Sequence, residues 1–182
     1  MTFPLMDSPS KVFASPTNFP HALWTIRPVA LSEDWPRLTD VFQKAYDGME
    51  AYGCRTRQEL KRYLKWLYRR CPQGFFGVFD PNGRLRAWAA VDDRWWNEEG
   101  ERVGAIHEIV VDPDVQGLGI GTALMKFVMT WLATRGVRRL ELWVGVTNGK
   151  ARRFYERLGF RPEGPAQGLW LRMTRPAPTP AE

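Results

Sequence analysis

Residues 110–122, Val-Val-Asp-Pro-Asp-Val-Gln-Gly-Leu-Gly-Ile-Gly-Thr, constrain the fold more than any other stretch of the chain. A β-branched run ends at Asp112, glycines follow at 117, 119 and 121, and a helical apolar period opens at Ile120. Glycines at alternate positions remove Cβ atoms where backbone amides have to close on a ligand. Such amides, at the positive end of the following helix, form an anion site suited to a pyrophosphate. The dinucleotide fingerprint needs Gly-x-Gly-x-x-Gly after the first strand of a βαβ unit, which this is not. A Walker loop needs Lys-Ser/Thr after the last glycine, and none follows. A tight strand-to-helix turn without a ligand is the plain alternative.

The flanking patterns alternate between helix and strand, which predicts an α/β chain with a mixed sheet covered by helices. Strands are expected at Leu23–Arg27, Phe75–Phe79, Leu85–Val91, Val103–Val111, Arg138–Val144 and Leu169–Met173. The run Asp80-Pro81-Asn82-Gly83 joins two of them as a hairpin. A first helix is expected from an N-cap at Ser32, with Leu38, Val41, Phe42, Ala45 and Tyr46 on one face. A second opens on the capping box Thr56-x-x-Glu59 and ends at Pro72. A third spans Ile120–Arg135 before Gly136, and a fourth Asn148–Leu158 before Gly159. Polar residues 92–102 read as a connection. Most tryptophans, including Trp35, Trp66, Trp88 and Trp131, read as core, since they fall on several elements.

Residues 1–21, with four prolines and no apolar period, read as an extended arm, and 175–182 as a disordered tail. Residues 22–174 between them make one domain of ordinary size. No run approaches a membrane span, and the start lacks a signal-peptide apolar stretch, so the expected location is the cytoplasm, with no membrane partner. Cys54 and Cys71 are the only cysteines and His21 and His107 the only histidines, which excludes a disulfide framework and a His-rich metal site. No metal is expected. The net charge of +6 attracts anions without choosing among them.

The residues Gln116, Gly119 and Gly121 occupy the positions of the acyl-CoA loop Gln/Arg-x-x-Gly-x-Gly/Ala, which resembles that of the GCN5-related N-acetyltransferase (GNAT) superfamily. A second match, Asn148-x-x-Ala151-x-x-Phe154-Tyr155-x-x-x-Gly159-Phe160, is similar to the family's other coenzyme-side motif. The resemblance covers residues 103–174 closely and the remainder by topology. It implies a mixed, mostly antiparallel central sheet of six to seven strands, flanked by about four helices, with splayed central strands.

It further implies acetyl-CoA as co-substrate and direct acetyl transfer to a primary amine. The implied coenzyme contacts are backbone groups of Ile109, Val110 and Val111, then Gln116, Gly117, Leu118, Gly119, Ile120, Gly121 and Thr122 around the pyrophosphate. Asn148 and Arg153 are implied as further contacts, although Arg152, Arg153, Arg157 and Arg161 also read as a solvated face. Tyr155 matches the family's general acid. Glu108, on the strand flanking the acetyl group, is the candidate base, with His107 as its rival. Strand alternation places those two on opposite faces, so only one should see the acceptor.

The acceptor is expected to be a small-molecule amine, met by residues 47–55 and 163–168, with the acidic stretch 92–101 nearby. Nucleic acid is not expected, and a homodimer is left open. Acetylation of a protein N-terminus, a lysine or an aminoacyl-tRNA is the alternative acceptor reading. A coenzyme-binding sensor without catalysis is the alternative from another class.

Overall fold

The computed structural model describes residues 23–179, so the expected arm at 1–21 and the last three residues lie outside the described residues. Seven strands form one sheet in the order β1-β2-β3-β4-β5-β7-β6. They are β1 (Thr25–Pro28), β2 (Phe75–Phe79), β3 (Leu85–Trp96), β4 (Arg102–Val111), β5 (Arg139–Gly145), β6 (Arg161–Pro162) and β7 (Trp170–Pro176). Every neighbouring pair is antiparallel except β4 and β5, which are parallel. A parallel pair needs a crossover, and α3 (Ile120–Thr134) supplies it.

Helices α1 (Leu31–Ala45) and α2 (Arg57–Arg70) cover one face of the sheet. Their Leu38, Val41, Phe42, Leu60, Leu64 and Leu67 pack on Phe75, Trp88, Ala90 and Val110. Even the Trp88 indole is satisfied there, donating to the Leu38 carbonyl at 3.1 Å. On the other face α3 buries Leu124, Met125, Val128 and Leu132 against Val78, Ala87, Ala89, Ile106, Leu140 and Leu142. Helix α4 (Gly149–Arg157) joins that layer through Ala151, Phe154 and Tyr155. Apolar side chains at alternating strand positions thus feed two separate layers of core.

The mixed sheet, its strand count and its four α-helices match the expected fold. Several boundaries moved, each for a local reason. Helix α1 is capped at Ala30 rather than Ser32, because the Asp34 carboxylate reaches back to the Ala30 amide at 3.2 Å. Residues 92–96 are strand, not connection, so the β3–β4 hairpin turns only at 97–101. Arg175 and Pro176, read as tail, belong to β7 and pair with Leu140 and Arg139. Pro176 is tolerated because β6 pairs only as far as Thr174, so nothing on that side asks for its missing N–H. The short β6 carried too few residues to show a period.

The capping box at α2 is complete: the Glu59 amide donates to Thr56 Oγ1 at 3.1 Å, and the Thr56 amide donates to Glu59 Oε2 at 3.2 Å. Thr56→Ala removes half of it and is expected to lower stability by about 1 kcal/mol. A urea titration should show a lower midpoint with an unchanged m-value.

Candidate active site

Strands β4 and β5 pair only from Gly104↔Leu140 to Ile106↔Leu142. Beyond that point they diverge, and the cause lies on the other edge of β4. Ala90 faces Glu108 while the next residue of β3, Val91, faces Ile106, so β4 carries one extra residue, His107. A bulge of this kind bends its strand, raises the local twist and disrupts pairing. It also breaks the alternation expected for positions 107 and 108. The His107 ring lies 5.3 Å from Trp66 of α2, and Glu108 meets Tyr46 and Tyr63 on the same side. Both side chains therefore face α1 and α2, which corrects the opposite-face expectation.

Past the bulge, β4 lends the gap its peptide groups. The Asp112 amide donates to the Arg86 carbonyl at 2.8 Å, and the register sets Trp88 against Val110 and Ala87 against Val111. In an antiparallel ladder this turns the Val110 N–H and C=O toward β3, and those of Ile109 and Val111 toward the gap. Ile109 and Val111 thus offer backbone there, whereas Val110's peptide groups are used inside the sheet. The Val111 carbonyl accepts from Gln116 Nε2 at 3.3 Å. Gln116 also accepts from Lys150 of α4, so its side chain props the loop instead of lining it.

The loop then does what its glycines suggested. Gly117 and Gly119 sit at φ +83° and +79°, the left-handed region that side chains resist. At Gly121 a Cβ would lie 3.3 Å from Val111 Cγ2 and 3.6 Å from Phe154 Cζ, so the helix start approaches β4 and α4 closely. The Gln116 amide is spent on Pro113, and the first helical bond is Ala123 to Gly119. Among the described residues, the amides of Gly117, Leu118, Gly119, Ile120, Gly121 and Thr122 have no acceptor. Six donors around one helix start make a site for an anion with several oxygens, as a pyrophosphate has.

On the α1–α2 side of the gap lies the ionisable cluster. Glu108 is 8% exposed, with Tyr46 donating to Oε1 and Tyr63 to Oε2, each at 2.9 Å. Burial pushes its carboxyl up to about 7, against the opposing pull of the two hydroxyls and the Ile109 amide. Tyr155 of α4 has its phenol raised by burial first and by the Glu108 charge second. Its ring packs on Phe154 and Phe160 at 5.3 and 6.1 Å.

A family profile described as "Acetyltransferase (GNAT) family" matches residues 33–160, which include the bulge, the glycine loop and α4. The chain belongs to the GNAT family. An uncharacterized N-acetyltransferase of Methanocaldococcus jannaschii is 42% identical over 84% of this chain, and the chain spans 66% of that protein's length. A Pyrococcus horikoshii protein of solved structure is 33% identical, with TM-score 0.75 over 84% of this chain and 98% of its own. A Salmonella typhimurium protein solved with its cofactor acetyl-CoA shares the fold, at 19% identity and TM-score 0.68 over 88% and 97% of the two chains.

Other expected contacts are distributed unevenly in this GNAT domain. Asn148 caps α4, its Oδ1 accepting from the Ala151 amide at 3.1 Å while its Nδ2 donates to Met49 Sδ at 3.8 Å. Arg153 lies with Glu156, Arg157, Arg161 and Pro162 along a surface cleft. The acidic stretch near the hairpin is already spoken for. Asp92 and Asp93 are buried, Glu99 and Glu101 pair with Arg172 and Arg139, and Glu98 accepts from Gln167. Glu163 is held by Arg139, Arg172 and Thr174, and Glu50 accepts from the Gly48 amide at 3.1 Å.

What the sequence left unseen is an aromatic cleft of about 400 Å³ beside Glu108. Tyr63, Trp66, Trp95, Trp143 and Trp170 line it, from four different elements. Trp66 is 41% exposed and is not core, unlike Trp88 and Trp131. The spacing of Tyr63 and Trp66, three apart on α2, was the one available signal. No helix of the described residues is long and apolar enough to cross a membrane.

Gly119→Ala forces a side chain into the left-handed region, at about 1–2 kcal/mol. The expected result is that coenzyme A raises the melting temperature of the parent protein and raises that of the variant far less, read by melting in a coenzyme titration.

Proposed function

We propose that this chain transfers the acetyl group of acetyl-CoA directly to the primary amine of a small molecule, with no covalent enzyme intermediate. The observation that carries the reading is the row of six unpaired amides at 117–122, set beside a gap whose edge strand holds a buried carboxyl. Acetyl-CoA supplies an activated acetyl thioester. The amides at 117–122 hold its pyrophosphate, and the gap-facing peptide groups of Ile109 and Val111 serve its pantetheine arm as a strand partner. One of those amides is also available to the carbonyl oxygen as charge develops on it.

The proton of the incoming amine is the main obstacle. An alkyl ammonium with pKa near 10.4 is nucleophilic in only about one molecule in 10³ at pH 7, a handicap of roughly 4–5 kcal/mol. Glu108, with a carboxyl near 7, is in the range where a base both holds and releases a proton at neutral pH. Tyr63 and Tyr46 fix the direction of that carboxyl. Tyr155 is the residue we assign to protonate the leaving sulfur. Its phenol is raised rather than lowered, and a thiolate already leaves readily, so its share of the rate is modest.

Mass spectrometry of the purified protein for bound coenzyme, followed by free-thiol release across an amine library, tests the reading. Stabilisation by acetyl-CoA without turnover on any amine would instead mark a coenzyme sensor. If Glu108 is the base, its deprotonated form is the active one, so kcat rises with pH up to about 7 and then levels. Glu108→Gln should remove that limb and lower kcat by about 10²- to 10⁴-fold. Tyr155→Phe should slow turnover by well under about 10⁴-fold while coenzyme binding is retained. Complete loss of activity in that folded variant would contradict the assignment.

A further inference from the structure

We propose that the acceptor is a primary amine carried on an aromatic body and lacking an α-carboxylate, seated in the cleft between α2, the β4–β5 ladder and β7. The inference rests on the acetyl-transfer reading above and adds the chemical class of the acceptor. At about 400 Å³ the cleft has the size of a small-ligand site. Its walls come from α2 (Tyr63, Trp66), β3 (Trp95), β5 (Trp143) and β7 (Trp170), and Ala105 keeps its floor low. Trp66 meets Trp95 at 83° with centroids 6.4 Å apart, and the His107 ring packs edge-on against both, so the three rings together form one aromatic wall of the cleft. Trp66 and Trp170 stay 41% and 37% exposed, an apolar surface the fold itself leaves uncovered.

Continuity with the reacting centre is direct. The Tyr63 side chain lines the cleft and donates to Glu108, and His107, one residue before Glu108 and on the same side, lies in the lining. An amine at Glu108 therefore has its body in the aromatic cleft.

Charge makes the second half of the argument. The only formal charge among the lining residues is the carboxylate of Glu141, 4% exposed, whose Oε2 has no hydrogen-bond partner. Behind His107, Asp92 Oδ2 lies 3.9 Å from Nε2, and neither atom is hydrogen-bonded. Arg70 and Arg172 pair with these carboxylates at 3.5 and 3.8 Å, and the Arg70 guanidinium also lies 5.1 Å from the Trp95 ring centroid, although neither arginine is itself a lining residue. No lysine or arginine lines the cleft. An ammonium on an aromatic frame meets π faces and the Glu141 carboxylate there, whereas an acceptor's own carboxylate or phosphate meets that like charge and no lysine or arginine in the lining.

The test is free-thiol release by the full chain with acetyl-CoA and a matched set of acceptors. The set is 2-phenylethylamine, tryptamine, ethylamine, glucosamine, phenylalanine and a peptide with an N-terminal phenylalanine. Burial of the ring predicts kcat/KM for 2-phenylethylamine about ten- to a hundredfold above that for ethylamine. Phenylalanine should fall at least about tenfold below 2-phenylethylamine, because its carboxylate is stranded. Trp143→Ala should bring the ratio of 2-phenylethylamine to ethylamine toward unity. Trp66→Ala, at an exposed position of α2 where folding is not at stake, should move it the same way. Equal rates for ethylamine and 2-phenylethylamine, or preference for glucosamine, phenylalanine or the peptide, overturn the acceptor class while leaving acetyl transfer standing. Absence of thiol release with every amine, from protein that binds the coenzyme, overturns the transfer reading and the acceptor class with it.

Discussion

One surplus residue in β4 organises the site. With His107 inserted opposite β3, the strand cannot keep both neighbours in register, and it gives up β5 after Ile106. A sheet that stops pairing in its middle leaves N–H and C=O groups that need another partner, since an unmet buried peptide group costs about 1–3 kcal/mol. The bulge therefore leaves strand-edge peptide groups unpaired by β5 at the place where the neighbouring loop has six amides with no acceptor among the described residues. It also rotates two consecutive ionisable side chains onto one face. Without it, Glu108 and His107 would lie on opposite sides of the sheet, and the aromatic cleft would lose one of its walls.

The two faces of the sheet divide the work. The α3–α4 face holds the glycine-rich helix start, and the rest of it is apolar packing. The α1–α2 face carries the carboxyl. There burial and hydrogen bonding oppose one another, and burial wins. Two phenol hydroxyls at 2.9 Å are not enough to offset removal from water, and the group ends near 7. Neutral donors, rather than an arginine, make that outcome: a guanidinium at the same place would hold the carboxyl low and unable to take a proton at neutral pH.

What could be read in the sequence and what could not divide along physical lines. The glycine loop was legible because positions 117 and 119 need positive φ, a demand that only one residue type meets without strain. The capping box of α2 and the β2–β3 hairpin were legible for a similar reason, since local backbone chemistry selects the residues. The bulge was not, because His107 has no local signature and strict alternation is the natural default for a strand. Tyr46 sits at a position that read as apolar stripe, and only tertiary packing shows its hydroxyl and that of Tyr63 meeting on Glu108. The aromatic cleft was misread for a stronger reason: its tryptophans are far apart in sequence and converge only when the β3–β4 hairpin packs beside α2 and β7. The carboxylates at 92 and 93 failed in the opposite direction. Their polarity suggested a loop, yet Arg70, Arg102 and Arg135 allow them to be buried in a strand.

A small group of contacts ties the α1–α2 loop to the end of β5 and the start of α4. A Cβ at Gly145 would lie 2.4 Å from Tyr52 Cε1, so the absence of a side chain at the end of β5 lets the α1–α2 loop lie directly on that strand. The Tyr52 hydroxyl then bonds Thr147 and accepts from its amide at 3.2 Å, one residue before the N-cap of α4. Met49 adds a contact to Asn148 itself, at 3.8 Å from Sδ to Nδ2. The loop that borders Glu108 is thereby anchored to the helix that carries Tyr155. A diverging strand pair would otherwise be free to open or close like a hinge. Pinning both sides to the same few atoms holds the width of the gap, and with it the spacing between the carboxyl on β4 and the phenol on α4.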